Sequence, residues 1–330
     1  MDENRSEETW WRCAYAAYLG SELRIERMDE TEARRRAATS LRDTVEGFLE
    51  GKWNFGTLKY RMDQASVESG HAFPPRTVSS TLTSLALGVP LDDLDPGLRR
   101  TGALPEDPGA AKGSLMDLEG IMEKAVSSGS LDRSEAAQAG WVELAACLWH
   151  IQDPYAWPMV SRKAMCLLRS RGEVSNLEPA HDYAEYASSM LRIAEHAGAD
   201  MIETEHLLEA LADGSIEVPG PEACFRESMQ RAEEHASQGR TDEALEWFER
   251  SLSIRPRTPA ALLRKAELYE SRGLVMAAIG ELEALMELEP GDREGHRRLV
   301  ALYRSQDMVR EHNLEVRRWK ALKGAKEQRP

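Results

Sequence analysis

The stretches EEHASQGRTDEALEWFERSLSIRP (233–256) and AELYESRGLVMAAIGELEALMELEP (266–290) are two copies of one pattern. Ala232, Gly239, Ala244 and Pro256 recur at one constant offset as Ala266, Gly273, Ala278 and Pro290. Leu245 answers to Ile279 and Ile254 to Leu288, so apolar character repeats in the same register. Self-similarity at a period of about 34 residues predicts helix-turn-helix units that stack, because one unit cannot bury its own apolar face. Surfaces of that kind bind other proteins far more often than they catalyse a reaction.

These residues resemble the tetratricopeptide repeat. The resemblance implies that Ala232 and Ala244, then Ala266 and Ala278, let the two helices of a unit approach. It also implies that Gly239 and Gly273 start the tight turn, that Phe248 and Tyr269 fill family positions, and that Pro256 and Pro290 close the units. Copies are expected at 225–258 and 259–292. A third, at 293–322, is degenerate: Tyr303 keeps the place of Tyr269, but Asp307 replaces the turn glycine and His312 the small alanine. Three stacked units are normally needed for stability, so 293–322 reads as a third or capping helical pair within a repeat region 222–323.

The resemblance further implies a concave groove lined by the first helix of each pair. On this chain that face includes Arg226, Met229, Glu233, Leu263, Glu267, Glu270, Arg297 and Arg304. The basic and asparagine set with which some relatives grip a peptide carboxylate is not reproduced. A groove with apolar centres and mixed charge suits a helix or an extended peptide of a protein partner.

Upstream, the pattern is helical throughout, and no run alternates with the period of two that a strand requires. An all-α fold is expected: an N-terminal helical region over 1–90, a middle helical domain over 115–217, then the solenoid. Trp10, Trp11, Ala14, Tyr15, Tyr18 and Leu19 form one helical stripe, read as core. Helices are also expected over Thr31–Leu49, Phe55–Ala65 and Arg76–Leu87. Between 91 and 114 the prolines Pro96, Pro105 and Pro108, several glycines and weak periodicity predict a linker or long loop. The dibasic pair Arg99-Arg100 at its tip would be open to a protease.

In the middle region, helices are expected over 115–127, from Asp132 or Arg133 to Gln152, and after Pro158. Another should run from Tyr183 to Ala197, followed by a short one capped at its start by Thr204. WVELAACLWHIQDPYAWPMVSRKAMCLLRSRG (141–172) and DYAEYASSMLRIAEHAGADMIETEHLLEAL (182–211) are similar to a helical segment of McrB-type restriction and related prokaryotic defence proteins. The nucleotide motor of that family needs GxxxxGK[ST], which this chain lacks.

Formal net charge is −15, unevenly spread. Arg293–Pro330 holds 11 Lys/Arg against 5 Asp/Glu, leaving −21 on residues 1–292. An acidic body of this size argues against nucleic acid as the general partner, since phosphate binding needs a basic surface. The longest apolar run, Leu144–Ile151, falls far short of the roughly 20 residues that span a bilayer. MDENRSEETWW at the start is acidic where a secretory signal is basic and then apolar. With four scattered cysteines (Cys13, Cys147, Cys166, Cys224) and no CxxC, a cytoplasmic setting with reduced thiols is expected.

Chemistry-bearing clusters are sparse. His181 with Glu185, and His196, Glu205 and His206, do not make an HExxH or another three-ligand metal pattern. Cys147 and His150 lie three apart but within an apolar helix, where a core thiol is expected rather than a nucleophile. No GxSxG, Rossmann glycine pattern or cofactor motif occurs. The sequence therefore predicts a non-catalytic adaptor or scaffold that binds a protein partner through the repeat groove, with no cofactor, metal, membrane or small-molecule substrate. The alternative is a regulatory accessory component of an anti-phage or CRISPR-associated system, a protease substrate or inhibitor, motivated by the middle resemblance and the exposed linker.

Overall fold

A computed structural model describes residues 2–127, 129 and 140–327, with side chains at 6–127, 129 and 140–320. Among the described residues there are sixteen helices and no strand. The chain divides into two compact units, Ala17–Glu217 on one side and Met1–Ala16 with Val218–Pro330 on the other.

The first unit is built around a helix that is buried on every face over Leu144–Ile151. Helix α1 (Asp2–Leu19) enters it with its last residues; α2 (Glu22–Leu49), α3 (Phe55–Glu68), α4 (Arg76–Gly88), α5 (Leu91–Gly102) and α6 (Pro108–Ser127) follow. Next come α7 (Trp141–Gln152), α8 (Arg162–Ser170), α9 (Pro179–Ala197) and α10 (Met201–Ala212). Every residue of α7 from Leu144 to Ile151 is buried, and α2, α4, α5, α6 and α9 all pack on it. A helix with no polar face must sit inside. Residues 132–139, the expected first half of this helix with Ala136, lie outside the described residues.

The segment 91–114 is helical over most of its length, where a linker or loop was expected. Pro90 is the N-cap of α5 and Pro108 opens α6, positions whose missing N–H costs no helical hydrogen bond. Only Pro96 lies inside a helix. Gly97 and Gly102 are buried contact points rather than spacers. A Cβ on Gly102 would stand 3.1 Å from Leu148 and 3.2 Å from Leu49. Trp149 Nε1 donates to the carbonyls of Thr101 and Ala103, and Gln152 Nε2 to that of Gly102, tying down the end of α5. Arg99 is no exposed cleavage point: its Nε donates to Phe48 O at 2.9 Å and its guanidinium lies over the Phe48 ring.

Four arginines of α2 clamp α10, Arg24 reaching Glu203 at 3.6 Å. Arg34 meets Glu205 at 2.8 Å with both side chains buried, Arg27 meets Glu209 at 2.8 Å, and Arg35 meets Asp200. Residues expected to belong to separate N-terminal and middle regions thus share one core. Thr204 is not the cap of α10. Asp200 is, accepting from Glu203 N, and the Thr204 hydroxyl donates to Asp200 O from within the first turn.

The second unit contains the repeats: α11 (Pro221–Ser237), α12 (Thr241–Ile254), α13 (Pro259–Ser271), α14 (Val275–Leu288), α15 (Arg293–Ser305) and α16 (Val309–Glu327). The starts of α12, α14 and α16 and the ends of α11, α13 and α15 each recur at the repeat offset. Ala232, Ala244, Ala266 and Ala278 are all fully buried, as close helix approach demands. Leu262, Ile279, Leu282, Leu285, Leu299 and Tyr303 form a core shared by α13, α14 and α15. The start of α1 belongs to this unit as well: Arg12 donates to Ser253 O, Tyr15 lies under Arg250, and the buried thiols of Cys13 and Cys224 are hydrogen-bonded. Trp11 and Tyr15 are buried, as core residues should be.

The turn of each pair explains the third copy. Gly239 and Gly273 have φ of +73° and +72°, and Asp307 at the equivalent place has φ +53°. Aspartate is one of the few residues with a side chain that accepts this left-handed geometry. Asp307→Gly should therefore stabilise the chain by roughly 0.5–1 kcal/mol in urea unfolding; destabilisation would mean that Asp307 makes a compensating contact.

Two histidines of the first unit resist protonation. Burial, then the charge of Arg34, pushes His150 from 6.5 down to about 3 although its Nδ1 faces Trp157 O at 2.7 Å. Burial, then Arg27 and Arg34, pushes His206 down to about 4. The unfolded chain takes up protons near pH 6.5 that the folded chain refuses, so stability is complete above that pH and falls as pH drops below it. Unfolding of this unit should take up about one proton at pH 6.5, rising to close to two by pH 5, and His150→Asn, which keeps a donor for Trp157 O, should remove about half of that uptake. A pH-independent midpoint across this window would contradict the assignment.

Candidate protein-interaction face

The first helices of the three pairs, α11, α13 and α15, carry all eight residues expected to face a partner. Their polar side chains interlock. Arg264 of α13 reaches Glu233 of α11 with two donors, Nε–Oε1 at 2.9 Å and Nη2–Oε2 at 2.7 Å, and also meets Glu267 on its own helix. Arg298 of α15 then meets Glu267 at 2.8 Å, Glu270 at 3.0 Å and Glu294 at 2.8 Å. Glu233 and Glu267 stand in equivalent places of successive copies, as do Arg264 and Arg298. One guanidinium–carboxylate rung thus recurs between successive pairs, bidentate at the first, where Arg264 meets both oxygens of Glu233, and single at the second, where Arg298 reaches Glu267 through Nη2 alone.

This ladder revises the expected division of labour. Of the residues expected to line the groove, Glu233, Glu267 and Glu270 are engaged by Arg264 and Arg298, which lay outside that set. Arg297 pairs instead with Glu294 one turn away, at the exposed surface, and Arg304 and Arg226 are exposed. Met229 and Leu263 are half-buried. The hydrogen bonds to Glu233 raise Arg264, and Arg298 is raised against its burial by Glu270 and Glu267, so both cations are fixed. Their signal was in the sequence: charge, as well as alanine and glycine, repeats at the same offset.

On the other side of α13, Lys265 is buried with its Nζ 2.7 Å from Glu281 of α14 and 3.5 Å from Glu249 of α12. Burial opposes its charge, but the hydrogen bond and charge of Glu281, then Glu249, outweigh it and raise Lys265. Sequence reasoning missed this residue too.

The residues weighed for catalysis sit elsewhere. Cys147 is fully buried, and burial pushes its thiol well above the ordinary value, so no thiolate forms there. His181 and Glu185 face one another at 3.2 Å on the surface of α9. Among the described residues no three His, Cys, Asp or Glu side chains come together to hold a metal ion. Among them, too, no helix is long and apolar enough to cross a membrane.

Residues 235–303 match the family model of the tetratricopeptide repeat, from the end of α11 to Tyr303 in α15. The chain therefore contains tetratricopeptide repeats, a module that generally mediates protein–protein interaction. No curated protein matches the chain. The resemblance of 141–211 to McrB-type proteins gains no support.

Glu267 and Arg298 are each about a quarter exposed or less. A double-mutant cycle between Glu267→Gln and Arg298→Met should give a coupling of roughly 0.5–1 kcal/mol that shrinks in high salt. Zero coupling at low salt would remove the ladder from the stability of the repeats.

Proposed function

We propose that the chain is a cytoplasmic, non-catalytic adaptor whose repeats hold a helix or extended segment of a protein partner along α11, α13 and α15. The observation that carries this reading is the consumption of Glu233, Glu267 and Glu270 by Arg264 and Arg298. Those pairs hold the three helices in register. Arg226, Arg304 and Arg297, the last in an exposed pair with Glu294 that a partner can displace, are then the charges of these helices that choose a partner, with Met229 and Leu263 as apolar contacts. An acidic amphipathic segment is the complement of such a face, and its charges would set orientation and on-rate more than affinity.

The alternative of a protease-regulated accessory protein loses one of its two grounds, because Leu91–Gly102 is helical and Arg99 is bound to Phe48. Its other ground, the likeness of 141–211 to defence proteins, remains a likeness of sequence alone.

Affinity capture from the native host with the full chain tests the adaptor reading. The Arg297→Glu/Arg304→Glu double variant should lose the enriched partner while its circular dichroism and unfolding midpoint stay near those of the parent, since both residues are exposed. Equal enrichment by parent and variant would sink the assignment of this face.

A further inference from the structure

Two thiols distant in sequence meet inside the second unit. Cys13 lies in the part of α1 that packs with the repeats, and Cys224 lies in the first turn of α11. Both side chains are 1 % exposed. Cys224 donates its S–H to the Cys13 sulfur, and that bond holds Cys13 below its ordinary value although burial opposes it. The same bond, then burial, pushes Cys224 up. The other two cysteines are placed differently: Cys147 is enclosed in α7 of the first unit, and Cys166 is exposed on α8.

Contacts on both sides of Cys13 seat α1 in this place. Arg12 donates to Ser253 O at 2.5 Å, and the Arg250 guanidinium stands 5.1 Å from the centre of the Tyr15 ring. The meeting of the two sulfurs therefore follows from the packing of α1 on the first repeat pair. Disulfide geometry is demanding, and sulfurs already in hydrogen contact meet its first requirement. Among the described residues no third His, Cys, Asp or Glu joins them to hold a metal ion. The chemistry open to them is that of a dithiol.

We propose that Cys13 and Cys224 form a reactive dithiol that hydrogen peroxide converts to a disulfide, tying α1 to the first helix of the repeats. The Cys13 thiolate attacks one peroxide oxygen, the O–O bond breaks, and the departing hydroxide takes up a proton to become water. Cys13 is then a sulfenic acid. The Cys224 sulfur attacks the Cys13 sulfur, the S–S bond forms, the S–O bond breaks, and the hydroxyl leaves with the Cys224 proton as a second water. Two thiols give up two electrons and two protons, and one peroxide is reduced to two waters. The hydrogen bond sets the order, since Cys13 is the sulfur whose anion a neighbouring S–H stabilises. Peroxide is little larger than water, so fluctuations that admit water to these sulfurs admit the oxidant. The chain leaves this unit after Ala16 and returns at Val218, so the bond closes a loop containing the whole first unit and keeps α1 from parting with α11. None of this depends on the repeats holding a partner.

The test treats the full chain, dilute and reduced, with hydrogen peroxide, blocks the remaining thiols with iodoacetamide in denaturant, and maps all four cysteines by mass spectrometry. The expected product joins Cys13 to Cys224 within one chain, releases both thiols to dithiothreitol, and leaves Cys147 a thiol. Cys224→Ser, nearly isosteric, should stop the reaction at a Cys13 sulfenic acid that dimedone labels. Cys13→Ser should slow loss of the Cys224 thiol roughly tenfold or more. The proposal is overturned if Cys13 and Cys224 both remain thiols once exposed Cys166 has been oxidised, or if either joins a cysteine other than its neighbour. It is overturned as well if Cys224 is oxidised as fast in Cys13→Ser as in the parent.

Discussion

Close approach of paired helices at four fully buried alanines is the constraint on which the second unit depends. Ala232 and Ala244 close one pair, and Ala266 and Ala278 the next. With only a methyl group at each contact, the helices settle at one separation, and larger side chains would force them apart. Fixing that separation also fixes the step to the following pair. From the step come the alignment of Glu233 with Arg264 and of Glu267 with Arg298, and the enclosure of Lys265 between two glutamates. Packing sets the geometry, and the charges then select the register, since each of these pairs is local to one junction.

Much of this was legible before any coordinates. Small residues, turn glycines and closing prolines announce helix pairs, and Asp307 could be recognised as a substitute for glycine because it falls in the same register. What stayed hidden depends on contacts between segments distant in sequence. The prolines of 91–114 look like breakers, yet Pro90 and Pro108 stand at helix starts and Gly102 is wedged against Leu148 and Leu49. The Trp10–Tyr18 stripe reads as core, but no local pattern says that its first half packs with residues more than two hundred positions away, as Arg12 with Ser253 does. Thr204 is a good cap residue by type; Asp200 wins because it lies one turn earlier with a carboxylate that reaches Glu203 N.

The candidate face was half legible. Its helices and most of its residues follow from the period, but the roles of the glutamates do not, because a carboxylate on a helix surface looks the same whether it awaits a partner or is held by a neighbour. Arg264 and Arg298 carried the missing information and could have been found by asking which charges, as well as which small residues, repeat. The same comparison shows the second junction rearranged: Lys265 becomes Leu299, while His296 and Arg318 replace Leu262 and Ala284 and both meet Glu315. Departures from an internal repeat are thus as informative as the repeat, because the intact copy shows what the altered copy lacks.

Stacking of α11 to α16 in a single repeat register, including the degenerate third pair, underlies all of these assignments. Gln238, Arg272 and Gln306 are exposed equivalents at the ends of α11, α13 and α15, so spin labels placed there in pairs read the step directly. The account predicts two equal intervals, with the 238–306 distance close to their sum. A second interval clearly longer than the first, or distances too broad to define, would show that residues 293–320 do not continue the stack.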